Sequence, residues 1–190
     1  PYPVGLSGHN AFIGGGESNQ AIGNYSTVAG GLSGTAGGWY STVVGGYGNI
    51  ASGVGSFVGG GGRCNGYFGN NSATGDRSAV VGGSRNIATN EGSFVGAGAY
   101  NTSSGSYSNV AGGLSNRALC TLSNVAGGTY NYACGNYSNV AGGSNNKACG
   151  DESNVAGGNS NLANGANAAV LGGFINQAIG TCSNVAGGQN

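Results

Sequence analysis

The side chains able to do chemistry are few, and their spacing limits what that chemistry can be. His9 is the one histidine in the chain, so neither a metal-binding His pair nor a Ser–His relay is expected. The carboxylates are Glu17, Asp76, Glu91, Asp151 and Glu152. They are scattered, and no two are spaced to face inward together, as paired acid–base catalysis would require. The five cysteines, Cys64, Cys120, Cys134, Cys149 and Cys182, include no C-x-x-C spacing, which argues against a zinc site. Gly-Gly recurs throughout, so no single copy reads as a phosphate-cradling loop. The expectation is a protein that is not an enzyme, with no catalytic residue, no metal and no cofactor.

Charge bounds the partners in the same way. Five basic residues balance five acidic ones in 190 residues, which leaves no electrostatic footprint for nucleic acid or an anionic membrane. No apolar run approaches the roughly 20 residues of a membrane helix, so no membrane insertion by this segment is expected. No signal peptide is visible. The chain starts with Pro, as expected of a processed chain or a piece of a longer one.

A repeat supplies the elements that position these residues. Ile13, Val28, Val43, Val58, Val80, Val95, Val110, Val125, Val140, Val155, Val170 and Val185 each stand in an S-x-V-x-G-G setting or a close variant. Successive anchors are 15 residues apart, except that Val58 and Val80 are 22 apart. The extra seven residues lie within 62–70 and contain "RCNGYFG". With the anchor at position 3, the unit is S-x-V-x-G-G-x-x-N-x-A-x-G-x-x. Low charge (5%) and 45 glycines suggest disorder in isolation, but twelve in-phase copies argue against it.

The selected residues fall at 1, 3, 5 and again at 9, 11, 13. That is the period of a strand, not of a helix. The glycines at 5, 6 and 13 are expected at bends, where positive φ or close backbone approach is needed. Each repeat is therefore predicted to be two short strands and two turns, one rung of an all-β parallel β-roll, a β-solenoid. Residues 1–190 form one such domain of about 12 rungs, with the insertion within 62–70. Positions 1, 3, 9 and 11 are small and face a narrow core. The position-9 residues Asn86, Asn101, Asn116, Asn131, Asn146, Asn161 and Asn176 are expected to stack as an asparagine ladder, each copy bonding the next, alongside their part in turns.

Positions 2 and 4 are predicted to point outward. Position 4 includes Val44, Val81, Ala111, Ala126, Ala141, Ala156, Leu171 and Ala186, and no position-4 residue is polar. No charge falls at positions 1–6 of any repeat. An uncharged apolar strip of this kind marks an interface, and a thin Ala/Val coil gains stability from association. These eight residues are the expected inter-chain interface. Tyr25, Tyr40, Tyr107 and Tyr137 share position 15, where covering the coil edge is favoured over contacting a ligand. Cys134 and Cys149 share position 12 on adjacent rungs. A rung spacing of about 4.8 Å lies within disulfide reach, so a stapling disulfide or two stacked thiols are both open. Asn24, Asn70, Asn101 and Asn136 begin N-x-S sequons, which matter only in a eukaryotic secretory setting.

Copies such as "SNVAGGLSNRALC" and "STVVGGYGNIASG" resemble the head repeats of YadA-like trimeric autotransporter adhesins, and phage tail fibres carry similar rungs. The resemblance runs from about Val4 to Asn190. The common head repeat has 14 residues and a large apolar residue before the Gly, whereas this one has 15 and Gly-Gly. No neck motif, heptad stalk or anchor barrel occurs within these residues. The resemblance implies a left-handed roll, three chains side by side, and binding to host or matrix surfaces. The expected function is a non-enzymatic structural or adhesive fibre module, extracellular or on a cell or virion surface. Its partners would be itself, as a homotrimer, and a surface receptor, matrix or glycan.

Two alternatives stand beside it. Half-rungs such as "NQAIG", "NIASG" and "NKACG" resemble those of grass ice-binding β-rolls. Thr occurs at position 2 only at Thr27 and Thr42, and Phe12, Phe57 and Phe94 interrupt that face. The chain also ends at position 8 and opens at position 9 of the repeat, which would allow head-to-tail stacking into a filament. A calcium roll of the RTX type is not expected, because its repeated Asp ligands are missing.

Overall fold

A computed structural model describes residues 5–64 and 67–189, with only the backbone described at 63–64 and 67–68. The chain divides into two compact units, 1–100 and 101–190, both built from the same rung of a parallel β-solenoid.

In the first unit, position-2/3 strands from Phe12–Ile13 to Phe94–Val95 form one sheet and position-10/11 strands from Gly5–Leu6 to Ile87–Ala88 form the other. The second unit repeats this with Asn109–Val110 to Asn184–Val185 and Thr102–Ser103 to Gln177–Ala178. Each strand is two residues long and pairs in parallel with its equivalent one repeat away, as Val28 does with Val43 and Ala133 with Ala148. Two-residue strands suit a rung this short, because alternation puts one side chain in and one out on each side.

The core is one side chain deep. Every position-3 Val from Val28 to Val170 is buried, as is the facing position-11 Ala column, interrupted by Ser103. Ser103 is accommodated by a 2.6 Å hydroxyl–hydroxyl hydrogen bond to Ser108, which satisfies both buried groups. Small residues are required here because the two sheets approach too closely for anything larger.

A third parallel contact lies between the two strands, and the spacing of small residues did not point to it. Position 7 forms single-residue bridges from rung to rung, such as Leu32↔Tyr47 in the first unit and Thr129↔Ser144 in the second. Position 7 carries no selected residue type, because a lone backbone bridge makes no demand on the side chain.

The bends also differ from expectation. Positive φ occurs at positions 6, 8 and 15. Gly143 has φ 85°, Asn145 56° and Tyr137 56°. Position 13 is Gly for a different reason: a Cβ on Gly135 would lie 2.0 Å from the carbonyl oxygen of Gly150. Position 5 is mixed: a Cβ on Gly127 or Gly142 finds nothing within 4 Å, whereas Gly187 has φ 143°.

The position-9 Asn organises the Gly-Gly corner. Asn146 Nδ2 donates to the carbonyls of Gly142 (2.8 Å), in its own rung, and Gly158 (2.9 Å), in the next. Its Oδ1 accepts the backbone N–H of Asn161 at 3.0 Å. One buried amide thus satisfies the Gly142 carbonyl and the Asn161 N–H and adds a second bond to the Gly158 carbonyl, which also accepts the Ser144 N–H at 3.0 Å. Gly34 occupies position 9 in one rung and has no side chain to continue the column, although its N–H still reaches Asn19 Oδ1.

The insertion is an antiparallel hairpin, Arg63–Cys64 with Tyr67–Phe68, and the coil resumes in phase, with Ile50 paired to Ser72.

Candidate interaction faces

The position-2/4 face follows from strand alternation: position 3 is buried, so its neighbours turn outward. Val44 and Val81 are 46% and 49% exposed in the first unit, and Leu171 is 54% exposed in the second. Ala111, Ala126, Ala141, Ala156 and Ala186 are exposed as well. Phe12, Phe57 and Phe94 share the face in the first unit, with Thr27 and Thr42 half-buried between them. In the second unit the outward position 2 carries an amide-to-amide ladder. Asn109 Nδ2 donates to Asn124 Oδ1, Asn124 to Asn139 and Asn139 to Asn154, at 2.6, 2.6 and 2.7 Å. The run of Asn at position 2 was legible as a signal for this, but only with the outward direction fixed. At position 9 the link between copies runs instead from side-chain Oδ1 to backbone N–H, from Asn71 to Asn86 and from Asn101 through Asn116, Asn131, Asn146 and Asn161 to Asn176.

The opposite face, positions 10 and 12, carries charge. In the second unit Arg117, Tyr132 and Lys147 hold position 10 on successive rungs. The Arg117 guanidinium lies 5.5 Å and the Lys147 ammonium 5.9 Å from the Tyr132 ring centre, within cation–π range. Beside them at position 12, Cys134 and Cys149 are joined in a disulfide, their Cα atoms 4.5 Å apart. The Cys120 thiol, on the preceding rung, donates to the Cys134 carbonyl at 2.7 Å.

The corners hold most of the aromatics. Tyr25 and Tyr40 stack with ring centres 5.1 Å apart, and His9 meets Tyr25 edge-on at 6.0 Å. Position 14 does structural work that the sequence did not advertise. Asn24, Asp76 and Asp151 each accept, through Oδ1, the position-14 N–H of the preceding rung, at 2.9 Å. Arg77 forms an ion pair with Glu91, and Arg85 donates to Tyr100 Oη at 3.0 Å.

Among the described residues no three His, Cys, Asp or Glu side chains are grouped to hold a metal, and no helix is long and apolar enough to cross a membrane. The arrangement offers surfaces for contact: one uncharged, apolar at position 4 and lined by asparagine amides at position 2 of the second unit, and one locally cationic. The chain matches no protein-family model and no curated protein.

Proposed function

We propose that this chain is a non-catalytic, extracellular β-roll module whose copies pack side by side, as a homotrimer, into a fibre or adhesive head on a cell or virion surface. The observation that carries this reading is the uncharged position-2/4 face of each unit, with exposed Val44 and Val81 in the first and exposed Ala111, Ala126, Ala141, Ala156, Leu171 and Ala186 in the second. A solitary coil in water has no use for such a strip, whereas a neighbouring copy removes it from solvent. A core of Val and Ala one side chain deep buries little apolar area per residue, so lateral contact adds stability where the single coil has least. The resemblance to YadA-like head repeats supports three chains and surface binding.

Light scattering coupled to size exclusion tests the reading. A trimer mass supports it. A monomer overturns it, and a monomer that also shows thermal hysteresis in ice-growth measurements establishes the ice-binding alternative. An open-ended series of masses growing with concentration establishes the head-to-tail filament instead.

A further inference from the structure

We propose that Arg117, Tyr132 and Lys147 form a binding site for an acidic polysaccharide that bears one carboxylate or sulfate on alternate sugars. This deepens the reading of the chain as a surface-binding module and rests on it.

Both cations are exposed and stand in one column, two rungs apart, a separation of about 9.6 Å at the parallel-strand spacing. The Tyr132 ring lies between them and within cation–π range of each. No carboxylate neutralises either one: among the described residues the ion pair is Arg77–Glu91. The second unit's acids, Asp151 and Glu152, belong to the position-14/15 corner, where Asp151 Oδ1 is engaged by the Asn136 N–H. Each cation gains a contact with the Tyr132 ring, but the two like charges share one column of a chain with 5% charged residues and repel one another.

The disulfide belongs to the same arrangement. Tyr132 and Cys134 share one rung, Lys147 and Cys149 the next, and each pair lies two residues apart on the same outward row. The staple therefore holds together the two rungs that carry the ring and the ammonium. A site that keeps its cations at fixed separation before binding loses less entropy when the ligand arrives.

The chemistry of the occupant follows from the spacing. Duplex nucleic acid presents one charge per ~1.7 Å of its length, far denser than two cations can match. An anionic bilayer gains about 1 kcal/mol per surface cation, but its charges have no fixed spacing for a pair of cations held about 9.6 Å apart to select. An extended polysaccharide with a charge on every second ring meets one cation per charge. Half-buried Leu119 and Leu162, on the same face, offer apolar contact to the C–H faces of sugars. The planar Arg117 head binds a carboxylate or sulfate through two parallel hydrogen bonds.

Isothermal titration of the disulfide-bonded protein with short hyaluronan oligosaccharides, one carboxylate per two sugars, tests the proposal, with dextran oligosaccharides as the uncharged comparison. Hyaluronan is expected to bind, to weaken with added salt, and to outcompete dextran. The double substitution Arg117→Gln, Lys147→Gln should lower affinity roughly tenfold, about 1.4 kcal/mol for the two exposed charges together. The exchange Arg117→Lys, Lys147→Arg should retain binding, and Arg85→Gln should leave it unchanged. No binding, equal binding of dextran, an unaltered double variant, or a preference for duplex DNA or phosphatidylserine vesicles overturns it. Light scattering on the same samples separates this site from lateral association: a monomer that binds hyaluronan keeps the site and ends the trimer reading.

Discussion

Asn131 Oδ1 accepts the backbone N–H of Asn146 at 2.9 Å, so an asparagine in one rung fixes the backbone of the asparagine in the next. Asn146 does the same for Asn161 and clamps two glycine carbonyls besides. Replacing Asn146 by Ala leaves the Gly142 carbonyl and the Asn161 N–H without partners, while the Gly158 carbonyl keeps the Ser144 N–H, and is expected to cost about 1–3 kcal/mol. Asn139, in the outward ladder, contributes side chain to side chain only, and Asn139→Ala should cost under about 1 kcal/mol. Chemical denaturation of the two variants measures the difference.

Adjacent glycines should behave oppositely. Gly143 has φ 85°, and a Cβ there would lie 2.1 Å from the Gly158 carbonyl oxygen. Gly143→Ala is expected to lose about 2 kcal/mol or more. A Cβ on Gly142 meets nothing within 4 Å, so Gly142→Ala should be neutral or stabilise by up to about 1 kcal/mol. Thermal melts followed by circular dichroism decide it.

Period-two selection at Ser138, Val140, Asn146 and Ala148 was enough to read the rung, its two strands and its parallel stacking from the sequence, because a core one side chain deep constrains every inward residue. Features carried by the backbone alone were not legible. The bridges at Thr129 and Ser144 tolerate any side chain. The positive-φ sites include Tyr137 and Glu152, types that announce no such conformation. Arg117, Tyr132 and Lys147 stand 15 residues apart, so their shared column follows from the repeat, but the ring-to-cation distances do not.

Leu122 has φ 54° and an exposed side chain. A leucine in this conformation carries strain of roughly 1–2 kcal/mol, which Asn tolerates far better. Leu122→Asn is expected to raise the denaturation midpoint by a stability gain of up to about 1 kcal/mol. An unchanged or lower midpoint contradicts the strain assigned to this corner.

Charge placed on the uncharged face should block lateral packing. Val81 and Ala126 lie at position 4, in the first and second units. Val81→Glu and Ala126→Glu are each exposed in a single coil and should leave its fold intact. Burying an unpaired carboxylate between copies costs several kcal/mol, so the mass in solution should fall to that of one chain. Retention of the larger mass would remove this face from the interface.

Cys120 and Cys182 are free thiols, whereas Cys134 and Cys149 are joined. Alkylation without reductant followed by peptide mapping should label the first two and leave the second two linked. Reduction opens a link of sequence separation 15 and should lower stability by up to about 3 kcal/mol.

The hairpin at 63–68 divides the duties of one residue between two. Gly62 keeps the forward position-7 bond, its N–H donating to the Gly83 carbonyl at 2.9 Å, while Gly69 supplies the carbonyl that accepts the Arg85 N–H at 3.1 Å. Gly69 N–H then closes onto the Gly62 carbonyl at 3.0 Å, so the excursion is sealed at its own base. The length of chain between those two glycines is therefore decoupled from the stacking on either side. A loop of another length or composition closing on the same two glycines would leave the phase of every following rung unchanged.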